Sequence, residues 1–235
     1  MIDDEACMQR RLLATALLFL TAVAAQAEPH LADRLAGAAP AADRAVLTLA
    51  ARAAECARRQ EPGSVDRLAV IDYSRPSSEP RLWVFDLNRG RLLFEELVAH
   101  GRGTGERIAE RFSNIDGSHM SSLGLFRATD PYDGANGYSL RLQGLEPGFN
   151  DRALERAIVM HGAPYVSQDL ISKQGRIGRS WGCPAVRSAV ARRMIDTLKN
   201  GALLFAYYPD RKWLEGSSYL QCGSAPVAPQ VAHSR

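Results

Sequence analysis

The 235-residue chain has no internal repeat, no apolar run as long as the ~20 residues that cross a bilayer, and no clustered Lys/Arg stripe. These absences exclude a repeat array, a multi-span membrane protein and an ordinary nucleic-acid binder. Charge of either sign is in little excess: 29 Lys and Arg against 26 Asp and Glu leave a formal +3. Its five histidines (His30, His100, His119, His161 and His233) show no metal-ligand spacing, so neither a metal nor a cofactor is expected. What remains is 46% hydrophobic and 23% charged, the composition of an ordinary globular domain of this length.

The N-terminus carries a leader pattern. Arg10 and Arg11 precede an apolar run over 12–25 that ends in the small-residue sequence Ala25-Gln26-Ala27. Together they read as a secretory signal peptide over 1–27, cleaved after Ala27, with no stable membrane span left afterwards. The alternative, a transmembrane anchor, suffers from the shortness of the run. The acidic segment before Met8 suits a leader poorly, and initiation at Met8 would account for it. Cys7, ahead of the run, is in the wrong place for a lipid-modified cysteine. Export to the periplasm or cell envelope follows as the expectation. Cleavage removes two arginines and three acids, so the mature charge is +4. Three cysteines then remain, Cys56, Cys183 and Cys222, and in an oxidising compartment one of them is left over.

Periodicity divides the rest. Residues 28–63 form an N-terminal helical segment, with one amphipathic helix over 41–59 stopped by Glu61-Pro62-Gly63. Residues 64–222 form the main domain, in which short Val/Phe/Trp/Tyr-rich runs at 68–73, 82–87, 92–98, 123–127, 138–142, 157–161 and 203–208 read as strands. The fold class is mostly β with flanking helices (α+β), its sheet curved or barrel-like and mainly antiparallel. A second helix is expected over 186–199 with Ala189, Val190, Ile195 and Leu198 inward. The polar stretch 101–122 is too long for a routine connection and reads as a functional loop. Residues 223–235 read as a flexible tail.

Two segments carry chemistry. An apolar strand ends in His161-Gly162, and some twenty residues later a Gly-containing turn presents Cys183 just before the second helix. An imidazole that takes the thiol proton, or a helix N-terminus that stabilises the thiolate, would make Cys183 a nucleophile. The backbone N–H groups of Gly182 and Cys183 could form an oxyanion hole. Acyl transfer through a thioester is the reaction class implied. A hydrogen-bonded histidine beside a core cysteine is the structural alternative. Arg176 and Arg179 flank the turn and could hold a carboxylate, or be solvated loop charges.

Residues 82–210 resemble the L,D-transpeptidase catalytic domain, a YkuD-like fold. The likeness rests on Gly117-Ser118-His119-Met120-Ser121-Ser122-Leu123-Gly124, on Val159-Met160-His161-Gly162, and on Gly178-Arg179-Ser180-Trp181-Gly182-Cys183-Pro184-Ala185. The resemblance implies Cys183 as nucleophile, His161 as its base, and the Gly162 carbonyl orienting the imidazole. It places Ser180, Trp181, Arg179, Arg176, His119 and Tyr165 against substrate. Trp181 stands where the family's signature has a histidine, the spacing from His161 to Cys183 is longer than usual, and Arg187 is the nearest candidate for a basic residue after the cysteine. The implied partners are peptidoglycan stem peptides, donor and acceptor, joined as 3→3 cross-links. Water as acceptor would give a carboxypeptidase or endopeptidase, and a non-catalytic cell-wall-binding protein on the same fold is the remaining alternative. Because a nucleophile must stay reduced, elimination pairs Cys56 with Cys222.

Overall fold

A computed structural model describes residues 30–60 and 65–222; the leader expected over 1–27 and the tail expected over 223–235 lie outside the described residues. The N-terminal segment holds two helices where one is expected, α1 (Leu31–Ala38) and α2 (Arg44–Gln60). The Asp43 carboxylate accepts the Ala45 and Val46 N–H groups at 2.7 and 3.4 Å. This cap sets the start of α2 at Arg44 rather than 41, and Pro40 lies in the gap between the helices. α1 escapes notice in the sequence because only Leu31 and Leu35 are buried on it.

Nine strands follow: β1 (Arg67–Asp72), β2 (Leu82–Asp86), β3 (Arg91–Glu96), β4 (Val98–Ala99), β5 (Gly124–Gly134), β6 (Gly137–Gly144), β7 (Val159–Ala163), β8 (Ala185–Arg187) and β9 (Leu203–Tyr207). They form one sheet in the order β3-β2-β1-β9-β5-β6-β7-β8-β4. Only β1–β9 and β7–β8 pair in parallel. The two edge strands, β3 and β4, are separated in the chain by Leu97 alone, so the sheet curls until its edges nearly meet. Arg81, wholly buried, spans that seam: its N–H donates to Glu96 O at 3.0 Å, and its Nε and Nη2 donate to Val98 O at 3.1 and 2.9 Å.

Strand β1 is buried on both faces from Leu68 onward, packed by α2 and by α4 (Ser188–Leu198). The buried face of α4 is Ala191, Met194, Ile195 and Leu198, which corrects the expected face, since Ala189 is exposed. Strand β5 runs on past Arg127 to Gly134, pairing only with β6 once β9 has ended. Pro131 is accommodated there at a register shift. Short helices α3 (Gln168–Gln174) and α5 (Arg211–Gly216) complete the fold. Cys56 and Cys222 form a disulfide with Cα atoms 5.8 Å apart, tying α2 to the chain beyond α5, and Cys183 is the free thiol among the described residues. No described helix is long and apolar enough to cross a membrane.

Candidate active site

The strand pair β7–β8 brings the two chemical segments together. His161 stands opposite Ala185, two residues beyond Cys183, and the Val159 N–H donates to Cys183 Sγ at 3.4 Å. Cys183 does not abut a helix: β8 separates it from α4, so no helix N-terminus acts on the thiol. Burial instead dominates, and at 9% exposure it pushes the thiol's pKa up. The His161 ring donates through Nδ1 to Gly162 O at 3.0 Å, which leaves Nε2 as the bare acceptor. Burial lowers the imidazole's proton affinity. Thiol and imidazole are thus both biased to their neutral forms. They share no direct hydrogen bond, because Sγ donates to Ala157 O at 3.7 Å. Gly162 has a packing role as well: a Cβ there would lie 2.8 Å from that of Ala191, so only glycine lets α4 close on β7.

Ser180, which the resemblance places against substrate, is instead buried at 5% exposure and closes the turn. Its hydroxyl donates to Cys183 O at 2.6 Å and accepts the Gly182 N–H at 3.1 Å. The Gly182 amide is therefore directed into the turn and not to the cleft, which corrects its expected place in an oxyanion hole. Gly182 has φ +123, and a Cβ would meet Met120 O at 2.8 Å. Ser121 supports the turn from beneath, donating to Gly182 O at 2.9 Å and accepting the Gly101 N–H at 3.0 Å. Two backbone bonds add to it, from Ser180 N–H to His100 O and from Arg102 N–H to Ser180 O. The long loop is thereby ordered against the cysteine turn.

Cys183 opens on a cavity of about 300 Å³ whose walls include His119, Asn136, Arg156, Ala157 and Trp181. His119 (φ +54) and Ala157 (φ +51) both hold left-handed backbone without being glycine, a strain that clusters at this cleft. Trp181 is 68% exposed, its ring centroid 5.0 Å from that of His119 and 5.3 Å from the Arg102 guanidinium. Arg102 in turn donates to His119 Nδ1 at 2.9 Å. Tyr165 is half-buried; burial first, and the charge of Cys183 second, push its phenol up to about 12. Arg176 and Arg179 are both engaged by Glu106, at 3.1 and 2.6 Å, and Arg187 by Glu96, at 2.6 Å, so none of the three presents an unpaired guanidinium. Sequence reading missed Arg156, Asn136 and Arg102. Only Arg156 left a signal, as the charge immediately before the apolar strand. Among the described residues no cluster of three or more His, Cys, Asp or Glu side chains could hold a metal.

A family model described as the L,D-transpeptidase catalytic domain matches residues 38–207. No curated protein matches. Solved structures with similarity include an L,D-transpeptidase from Mycobacterium smegmatis, 14% identical with a TM-score of 0.39, matched over 61% of this chain and 59% of its own. L,D-transpeptidase 1 of Mycobacterium tuberculosis is 12% identical with a TM-score of 0.34, over 61% and 62%. One from Stackebrandtia nassauensis is 11% identical with a TM-score of 0.38, over 76% and 91%. The chain thus spans about three-fifths of the two mycobacterial proteins.

Proposed function

The chain belongs to the L,D-transpeptidase catalytic-domain family, and on that premise we propose that it is an exported cysteine acyl-transferase acting on peptidoglycan stem peptides. The observation that carries this reading is the pairing across β7 and β8: the one free thiol among the described residues beside an imidazole whose Nδ1 is held by a backbone carbonyl and whose Nε2 is bare. Cys183 Sγ turns off Ala157 O and attacks the carbonyl of the third stem residue while His161 Nε2 takes its proton. The terminal D-residue leaves as an amine, receiving that proton, and the stem remains as a thioester. An acceptor amine of a second stem then displaces sulfur and gives a 3→3 link. Among backbone donors the Cys183 N–H is the candidate to hold the oxyanion, since that of Gly182 is engaged by Ser180. Trp181 shapes the acceptor side, His119 lines the same cavity toward the donor, and Tyr165 borders the thiol. The disulfide supports export, because such bonds persist in oxidising compartments.

Intact-protein mass after exposure to a carbapenem, followed by incubation with a disaccharide tetrapeptide, tests the reading. One covalent adduct on the wild type, none on Cys183→Ala, and a 10²–10⁴-fold slower adduct on His161→Ala are expected at roughly the magnitudes typical of a lost base. Absence of an adduct, or turnover by Cys183→Ala, refutes it. Tripeptide in place of 3→3 dimers would instead make the enzyme a carboxypeptidase.

A further inference from the structure

Arg156 is the residue just ahead of the left-handed Ala157 whose carbonyl receives the Cys183 thiol. Its Nη1 donates to Ser113 O at 2.7 Å and to Ser122 Oγ at 2.6 Å. Its Nη2 donates to Ser118 Oγ at 3.2 Å and to Met120 O at 2.7 Å. All four Nη hydrogens therefore go to residues 113–122, the loop that walls the cavity, and only Nε–H is left over. A guanidinium so occupied cannot grip a ligand carboxylate bidentately, which separates Arg156 from a substrate clamp. Yet its acceptors are two carbonyls and two hydroxyls, all neutral, so its charge is not cancelled by contact. The opposite charges within its reach are Asp116 and the ionised form of Cys183. Asp116 is the stronger of the two and Arg152 opposes both, but Asp116 is exposed and open to screening by salt, whereas Cys183 is buried and lines the same cavity as Arg156.

We propose that Arg156 is the positioning residue of this site: its four hydrogen bonds hold the cleft wall, and its charge, which no carboxylate contacts, stabilises the Cys183 thiolate as sulfur gives up its proton. This rests on Cys183 being the nucleophile of the proposed transferase, but the test reads the thiol with no turnover.

The measurement is the pH profile of Cys183 alkylation by iodoacetamide, followed by mass mapping of the peptide that carries it. Arg156→Gln should raise the profile's midpoint by about one unit and slow alkylation near pH 7 about tenfold. Arg156→Lys keeps the charge but cannot span four acceptors, so its midpoint should stay within about 0.3 unit of wild type; the loosened wall should show as a severalfold rise in KM for the tetrapeptide. Ser118→Asp places a carboxylate against Nη2 on a half-buried loop position, and should raise the midpoint as Arg156→Gln does, with Arg156 still present. Equal midpoints in wild type and Ser118→Asp, or equal shifts in the Lys and Gln variants, would overturn the proposal. A wild-type enzyme that cross-links stems while these midpoints stay fixed refutes this inference alone; midpoints that move in a protein that never acylates refute the transferase reading alone.

Discussion

Lowering the pH below 6.5 should cost this protein stability through one buried histidine. His100 sits beneath the cysteine turn, its Nδ1 accepting from Arg81 Nη2 at 2.7 Å and its Nε2–H donating to Gly105 O at 3.2 Å. A second proton would have to go on Nδ1, against the guanidinium. Burial first, and Arg81 second, hold its pKa down at about 3. An unfolded histidine titrates near 6.5. Between those values the unfolded chain binds a proton that the folded chain does not, so stability is complete above pH 6.5 and falls as pH falls. At about 1.36 kcal/mol per unit, the loss reaches about 3 kcal/mol by pH 4.5. The buried carboxyls of Asp72 and Glu146 are raised, chiefly by burial, and act in the opposite direction, so the test is a difference. Urea unfolding of wild type and His100→Gln would be compared at pH 7.5 and 4.5. The variant costs about 1–3 kcal/mol at pH 7.5, from the lost hydrogen bonds to a buried cation. That gap should close by about 3 kcal/mol at pH 4.5. Parallel curves, with the gap unchanged between the two pH values, would show that His100 does not carry the acid sensitivity.

The disulfide closes a separation of 166 residues, and Cys222→Ser should lower the unfolding free energy by about 5 kcal/mol on the chain-entropy model. A loss below about 1 kcal/mol in urea titrations would mean that α1 and α2 dock without it. Trp181→Phe should keep most acyl-enzyme formation, whereas Trp181→Ala releases Arg102 and His119 from the indole and should cost about 2–5-fold in kcat/KM, on the scale of an exposed cation–π contact. The ratio of 3→3 dimers to released tripeptides reads the acceptor side, and a Phe variant as inactive as Cys183→Ala would give the indole N–H a chemical role.

Much of the fold could be read from the chain because its strands are short, apolar and set off by turn residues. Strands β1, β2 and β9 lie within a residue of their expected limits, since each is a buried run in which local pattern and tertiary environment agree. The sequence was misleading where tertiary pairing overrode local chemistry. The expected strand stops at Arg127, yet β6 carries β5 on through Asp130 and Pro131 by a register shift. Val186 and Arg187 open the expected helix over 186–199, but β7 and β4 claim Ala185–Arg187 as a strand. That single substitution of strand for helix takes the dipole away from Cys183.

The site divides along the same line. Cys183, His161 and Gly162 are carried by short motifs that the β7–β8 pairing brings together, although Cys183 precedes a strand and not the expected helix. Partners supplied from afar were not legible: Glu106 occupies Arg176 and Arg179 across about seventy residues, and Ser121 holds Gly182 across sixty-one. These distant contacts decide the chemistry of the resting state. With a raised thiol, a lowered imidazole and sulfur bonded to Ala157 O, the neutral pair outweighs a preformed thiolate–imidazolium pair. In the proposed reaction, proton transfer to His161 Nε2 would then belong to the attack itself, and the guanidinium that lines the same cavity as Cys183 is that of Arg156, held by its loop rather than by a carboxylate.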